Sequence, residues 1–243
     1  MPADSPTIVA TSGGYVPGRR SRTAFGPLVR HAVDLAGVHG RRPRLGYVGT
    51  ANGDQQFAIA ERHEAARTAG FDLNPLRLFT MPNVDDVEGY LREQDVVWVD
   101  GGSVANLLAV WRVHGLDEIF RRVWEAGVVL AGVSAGSICW HTSGTTDSFG
   151  PELQAVHNGL GLVPYGNGVH YDSEERRRPA VHRLVATGEL GRAYCTDDGV
   201  GLVYQGTELA ETVTERPGKS AYVVERRGDG SVVEERIEPH LLR

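Results

Sequence analysis

The segment Gly132-Val133-Ser134-Ala135-Gly136 constrains this chain more than any other. It follows Val128-Val129-Leu130-Ala131, an apolar run short enough for a buried parallel strand. It precedes Ser137-Ile138-Cys139-Trp140-His141, which can start a helix. Strand, G-x-S-x-G and helix in that order form the nucleophile-elbow pattern. A turn that tight holds the serine on strained backbone, its hydroxyl exposed beyond the strand. The glycines two residues away on each side remove Cβ atoms that would collide there. The N–H of Ala135 would point at an oxygen that gains negative charge during attack by Ser134. A small-residue turn that merely packs closely is the plainer alternative; the strand before and the helix after favour the nucleophile.

Around this segment, apolar runs alternate with stretches of helical period. Residues 7–11, 44–49, 71–79, 95–100 and 128–131 read as strands. Residues 22–36, 55–68 and 104–112 read as helices, as does a short one ending at Leu91 behind Asn83 or Asp85 and another capped by Asp117. Nearly all-apolar strands between helices predict an α/β fold with a mostly parallel sheet covered by helices on both faces. Sites in such sheets form beyond the carboxyl ends of the strands. The loops Gly13-Gly14, Gly101-Gly102-Ser103 and the elbow are therefore expected to converge. Beyond the elbow, residues 142–160 read as loop, 160–164 as a short strand and 179–187 as a helix. Two strands flank Asp197-Asp198-Gly199. An antiparallel hairpin turns at Gly228-Asp229-Gly230 near the C-terminus. With no linker or repeat, one domain over residues 1–243 is the expectation.

The formal net charge of −6 and scattered arginines argue against a nucleic-acid partner. No apolar run has the length of a membrane span, so no membrane association is expected. Residues 1–6 lack the basic and apolar regions of a secretory signal. Two cysteines, Cys139 and Cys195, are too few for a disulfide framework or a four-thiolate metal site, and a cytoplasmic setting is the default. No metal or cofactor motif occurs, so none is expected.

A serine nucleophile needs a base, and the base an orienting group. Of nine histidines, His39 among them, His31, His63, His114 and His182 lie in or beside helical segments and His240 is in the tail. His141 would sit two turns down the elbow helix, pointing away from Ser134. His157 and His170 lie in irregular segments that can return to the elbow, and His170 follows the bend-prone Gly166-Asn167-Gly168. For the acid, Asp147, Asp172, Asp197 and Asp198 remain open. The run Arg176-Arg177-Arg178 could grip an acidic side chain, although a solvated charge run is the commoner meaning of such a stretch.

Three blocks together resemble a known family. They are residues 132–137 at the elbow, the earlier Trp98-Val99-Asp100-Gly101-Gly102-Ser103-Val104-Ala105-Asn106-Leu107-Leu108, and the later Gly161-Leu162-Val163-Pro164 with Val169-His170-Tyr171. In order and spacing they resemble the serine peptidases that include aspartyl dipeptidase (peptidase E) and cyanophycinase, over about residues 7–213. The resemblance implies a fold like the class I glutamine amidotransferases, flavodoxin-like, with serine in place of cysteine. It implies Ser134 as nucleophile and His170 as base. The oxyanion hole would come from Ala135 with Gly101 or Gly102. The acid falls at Asp197-Asp198 on one matching and at Asp147 on another; Asp198 is preferred because the strands beside it can aim it at His170. Tyr171, where the family usually has phenylalanine, and the inserted Asp172-Ser173-Glu174-Glu175 depart from the pattern at the substrate side. The resulting expectation is a serine peptidase of short peptides, a dipeptidase preferring an N-terminal acidic residue, with a homodimer as one assembly it allows. An esterase or amidotransferase-like hydrolase on the same scaffold, or an inactive binding relative, stays open at this level.

Overall fold

The computed structural model describes Ala3 and residues 5–243. The reading of residues 1–6 as free of a secretory signal rests partly on residues 1, 2 and 4, which lie outside the described residues. The main sheet has eight strands in the order His240–Leu241, Glu208–Thr214, Val200–Gln205, Thr7–Thr11, Val129–Val133, Val96–Val99, Arg44–Val48 and Asp72–Leu76. The five from Thr7–Thr11 to Asp72–Leu76 are mutually parallel. Val200–Gln205 joins them antiparallel.

Alternation along these strands divides the core. Val9, Trp98, Val129 and Ala131 face one side, where Pro27–Leu35 and Gln56–Ala69 pack as helices. Ile8, Ala10, Val97, Val99 and Leu130 face the other, against the helices Val104–Val113 and Leu116–Glu125. Trp111, Phe120 and Trp140 meet there with ring centroids 4.5–5.8 Å apart, all fully buried. Burial of Phe120 alone contributes about 1.5–3 kcal/mol by leaving water. The fold is thus α/β, with helices on both faces of a mostly parallel sheet.

A second sheet, of six strands, is the main departure from the sequence reading. Its order is Val232–Ile237, Ala221–Arg226, Ala193–Thr196, Val163–Gly168, His141–Thr146 and Gln154–Val156. One face, with Val163, Tyr194 and Val223, joins the same core as the first sheet. The other is covered by the helix Arg177–Thr187 through Val181, Leu184 and Val185. The C-terminal hairpin forms this sheet's edge. Much of residues 142–160, expected as loop, is strand. Polar threonines obscured it, yet Thr145 and Thr146 are buried, and Gly144 lets the strand approach so closely that a Cβ there would lie 2.6 Å from Ile138.

Local boundaries moved for physical reasons. The short helix Val87–Arg92 is capped by Asp86, not Asn83 or Asp85: its carboxylate accepts the Gly89 N–H at 2.9 Å. Leu116–Glu125 starts at the left-handed Gly115, so Asp117 lies inside the first turn, where its charge favours the helix dipole. The elbow helix is a single turn, Ala135–Ile138. His141 therefore sits in a strand, not two turns down a helix. It is fully buried, with Nδ1 2.9 Å from the Ser137 carbonyl and Nε2 3.1 Å from the Tyr204 hydroxyl.

Burial pushes the His141 imidazole down from its ordinary 6.5 to about 4. The unfolded chain then binds a proton near pH 6.5 that the folded chain refuses until about pH 4, so stability falls as pH drops through that window. The full loss is about 3 kcal/mol. Urea unfolding at several pH values is expected to show a flatter acid limb in His141→Gln; identical slopes in both proteins would contradict this origin.

Candidate active site

Ser134 follows the strand Val129–Val133 with φ 58° and ψ −112°, backbone that side-chain-bearing residues rarely adopt. The flanking glycines are sterically required. A Cβ on Gly132 would lie 2.4 Å from the Gly136 carbonyl oxygen, and one on Gly136 would lie 2.1 Å from that of Val99. Ser134 remains partly accessible at the strand's carboxyl end.

His170 stands two residues beyond Val163–Gly168, in the second sheet, also on left-handed backbone at φ 54°. Its Nδ1 lies 2.6 Å from Oδ1 of Asp198, with the two side chains 24% and 28% exposed. Asp198 occupies the turn between Ala193–Thr196 of the second sheet and Val200–Gln205 of the first. The site therefore lies on the seam between the sheets.

One dipeptide stitches that seam. The Thr11 carbonyl accepts the Ser134 N–H at 3.0 Å. Next to it, the Ser12 hydroxyl accepts the His170 N–H at 3.1 Å and shares a 2.6 Å hydrogen bond with Thr196. The Ser12 carbonyl accepts the Gly199 N–H at 2.9 Å. A second tie runs from Ser137, in the elbow helix, whose hydroxyl donates to Oδ1 of buried Asn167 at 2.9 Å, three residues before His170. Sequence reasoning missed Ser12, Ser137, Asn167 and Thr196. Only the position of Ser12 at a strand's carboxyl end, where loops converge, could have signalled one of them. Among the described residues no hydrogen bond joins the Ser134 hydroxyl to the His170 ring. In enzymes that use a serine and a histidine together, that bond commonly tightens only once substrate is seated.

Gly101 lies against Ser134: a Cβ built on it would be 3.3 Å from the Ser134 Cβ and 3.8 Å from its Oγ. The Gly101 N–H, however, is taken by the Asp100 carboxylate at 3.0 Å. Among the described residues the N–H groups of Gly102 and Ala135 have no acceptor, which leaves these two available to a developing oxyanion.

The other carboxylates have different work. Asp147 is exposed and Asp197 is buried, accepting the Ser220 N–H at 3.0 Å. Asp172 accepts the Asp198 N–H at 2.8 Å and pairs with Lys219. Partial burial opposes its charge, but Lys219 and that N–H hold its carboxyl below the ordinary range. His157 is exposed. The arginine run is neither a uniform solvated stretch nor a free grip. Arg176 is exposed near Glu152, Arg177 is buried on the Thr145 carbonyl, and Arg178 pairs with Glu234 across the rings of Tyr171 and Tyr222. Cys139 and Cys195 are buried free thiols. No helix among the described residues is long and apolar enough to cross a membrane, and none of their His, Cys, Asp and Glu groups forms a metal-holding cluster.

Comparison with known proteins agrees with this architecture. The chain is 41% identical over 183 residues to the uncharacterized peptidase YgaJ of Bacillus subtilis (strain 168), covering 75% of this chain and 78% of that one. A crystal structure of a peptidase from an acI-B1 Actinobacterium superposes with a TM-score of 0.69 at 15% identity, covering 97% of this chain and 95% of that one. A Listeria monocytogenes EGD-e protein, described as a peptidase E candidate, superposes with a TM-score of 0.59 at 16% identity, covering 96% and 98%. These two share the fold. The sequence model of peptidase family S51 matches residues 8–212, and with a match over that much of its length this chain belongs to peptidase family S51.

Proposed function

We propose that the chain is a single-domain serine peptidase acting on short peptides in a reducing, cytoplasmic compartment, with Ser134, His170 and Asp198 as its triad. The observation that carries this reading is the meeting of a strained Ser134 with a His170–Asp198 pair across one strand end, Thr11-Ser12. Asp198 accepts the Nδ1–H of His170, leaving Nε2 free to take the serine proton. Ser134 Oγ then attacks the peptide carbonyl, and the N–H groups of Ala135 and Gly102 meet the oxyanion. His170 returns the proton to the leaving amine, and water releases the acyl group by the same steps in reverse.

The finer reading is a dipeptidase that prefers an N-terminal acidic residue. The resemblance of the three sequence blocks to those of aspartyl dipeptidases supports it. Arg177 and Arg178 are already engaged, so we assign the recognition of the acidic side chain to Arg216. Arg216 is exposed, lies against Gly199 beside Asp198, and has no salt-bridge partner among the described residues. The test is a panel of dipeptides varying only the first residue. Aspartyl substrates are expected to exceed leucyl ones at least about tenfold in kcat/KM, equivalent to roughly 1.4 kcal/mol, and Arg216→Gln to shrink that ratio toward one. Equal turnover of both series by the unaltered enzyme would overturn the acidic preference and leave the triad reading standing.

A further inference from the structure

The turn that presents Gly102 rests on a buried polar cluster. The strand Val96–Val99 ends at Asp100, whose side chain is only 8% exposed. Five donors converge on its carboxylate. Oδ1 accepts the Gly101 N–H at 3.0 Å and the Tyr15 hydroxyl at 3.1 Å. Oδ2 accepts the Tyr47 hydroxyl at 2.6 Å, Arg62 at 3.3 Å and the Asn52 amide at 3.5 Å. Tyr15 is fixed in turn: its oxygen accepts the Trp98 indole N–H at 2.8 Å, and the Arg62 guanidinium lies 3.8 Å over its ring.

Such a cluster is a poor way to stabilise a fold. A buried ion pair seldom outperforms apolar side chains of similar volume. The Arg62 Nε is buried without a hydrogen-bond acceptor, which adds cost, and one terminal nitrogen has only Glu61 nearby, at 3.7 Å. What the cluster does is fix one turn. The carboxylate takes the N–H of the very next residue, which sets the tilt of the peptide plane between Asp100 and Gly101. From the other side, Gly102 at φ 139° is pressed on the neighbouring loop, where a Cβ would lie 2.3 Å from the Ala51 carbonyl oxygen. That same oxygen accepts the Ser103 N–H at 2.9 Å. The turn is thus gripped on both sides while Gly101 abuts Ser134.

We propose that Asp100 is the positioning residue of the oxyanion-stabilising turn: held by Tyr15, Tyr47 and Arg62, it takes up the Gly101 N–H and so leaves the Gly102 N–H to meet the oxyanion at Ser134. The inference rests on the serine-peptidase reading above. The oxyanion exists only after attack, so a misplaced turn weakens the transition state and leaves substrate binding alone.

Asp100→Asn conserves shape but forces an amide N–H against donors. It is expected to lower kcat on an aspartyl dipeptide roughly 10²-fold with KM within about threefold, the pattern of a lost transition-state donor. The rate at which a diphenyl phosphonate modifies Ser134 is expected to fall in parallel, since the phosphonyl oxygen occupies the oxyanion position. Tyr47→Phe, which removes one donor, is expected to lower both rates about fivefold and carries the test if Asp100→Asn does not fold. Unchanged kcat and modification rates in the folded variants, or a raised KM with kcat intact, would overturn the inference alone, provided the unaltered enzyme is modified at Ser134. No modification of the unaltered enzyme would overturn the serine-peptidase reading and this inference with it.

Discussion

Replacing Ser134 with Ala is expected to abolish peptide hydrolysis and leave the fold intact. Alanine has the same backbone preferences as serine at φ 58°, so the strained turn is no worse satisfied, and the hydroxyl makes no hydrogen bond among the described residues that its loss would break. The loss in kcat is expected to exceed ~10³-fold, because a triad that loses its nucleophile retains only what binding and the oxyanion hole supply. His170→Ala is expected to be equally damaging, and the double variant hardly worse, since the two groups act as one unit. His157→Ala, at an exposed position, is expected to change kcat less than about twofold, within what a surface substitution does. Steady-state kinetics and thermal unfolding of the four variants check this set. Appreciable turnover by Ser134→Ala, or a larger loss from His157→Ala than from His170→Ala, would contradict it.

The second large effect is expected at Asp198. Its carboxylate can only accept from Nδ1 of His170, 2.6 Å away, so it selects the tautomer whose Nε2 is a free base. Asp198→Asn can instead offer an amide N–H to Nδ1. The proton then sits on Nε2, where it blocks removal of the serine proton. A loss of about 10³–10⁴-fold in kcat is expected, the scale of such a tautomer reversal in a serine triad. The backbone has independent support, because the Asp198 N–H binds Asp172 and the Gly199 N–H binds the Ser12 carbonyl. The variant is therefore expected to unfold near the parent temperature. Asp147→Asn, at an exposed position, is expected to cost little. A severe loss from Asp147→Asn with a mild one from Asp198→Asn would reverse the assignment.

The parts of this architecture legible in the sequence were those written in hydrophobic period and glycine placement. Val128-Val129-Leu130-Ala131 can be little but a buried strand, and Gly132 and Gly136 have no steric alternative where they stand. The convergence of the Gly101-Gly102 turn on Ser134 followed from parallel-sheet topology alone. The second sheet was obscured because strand His141–Thr146 is built from threonine, serine and glycine, whose burial depends on partners distant in sequence. The same limit hid the seam. Nothing local to Thr196 or Asn167 marks them, and Ser12 has only its place at a strand's carboxyl end; their roles exist only once Thr7–Thr11, Ala193–Thr196 and Val163–Gly168 end close together. Asp100 belongs to a recognisable motif, yet its five donors are spread from Tyr15 to Gly101, an arrangement that spacing along the chain cannot express.

The central claim is that Ser134 is the nucleophile, and the most direct measurement is the site of covalent capture. The native protein is treated with a diphenyl phosphonate, activity is followed to completion of the inactivation, and the adduct is located by peptide-resolved mass spectrometry. One phosphonyl group per chain on Ser134, appearing in step with loss of hydrolysis and absent in both Ser134→Ala and His170→Ala, is the predicted result. An adduct on another residue, or an active enzyme fully hydrolysing peptides with Ser134 unmodified after prolonged treatment, would contradict it.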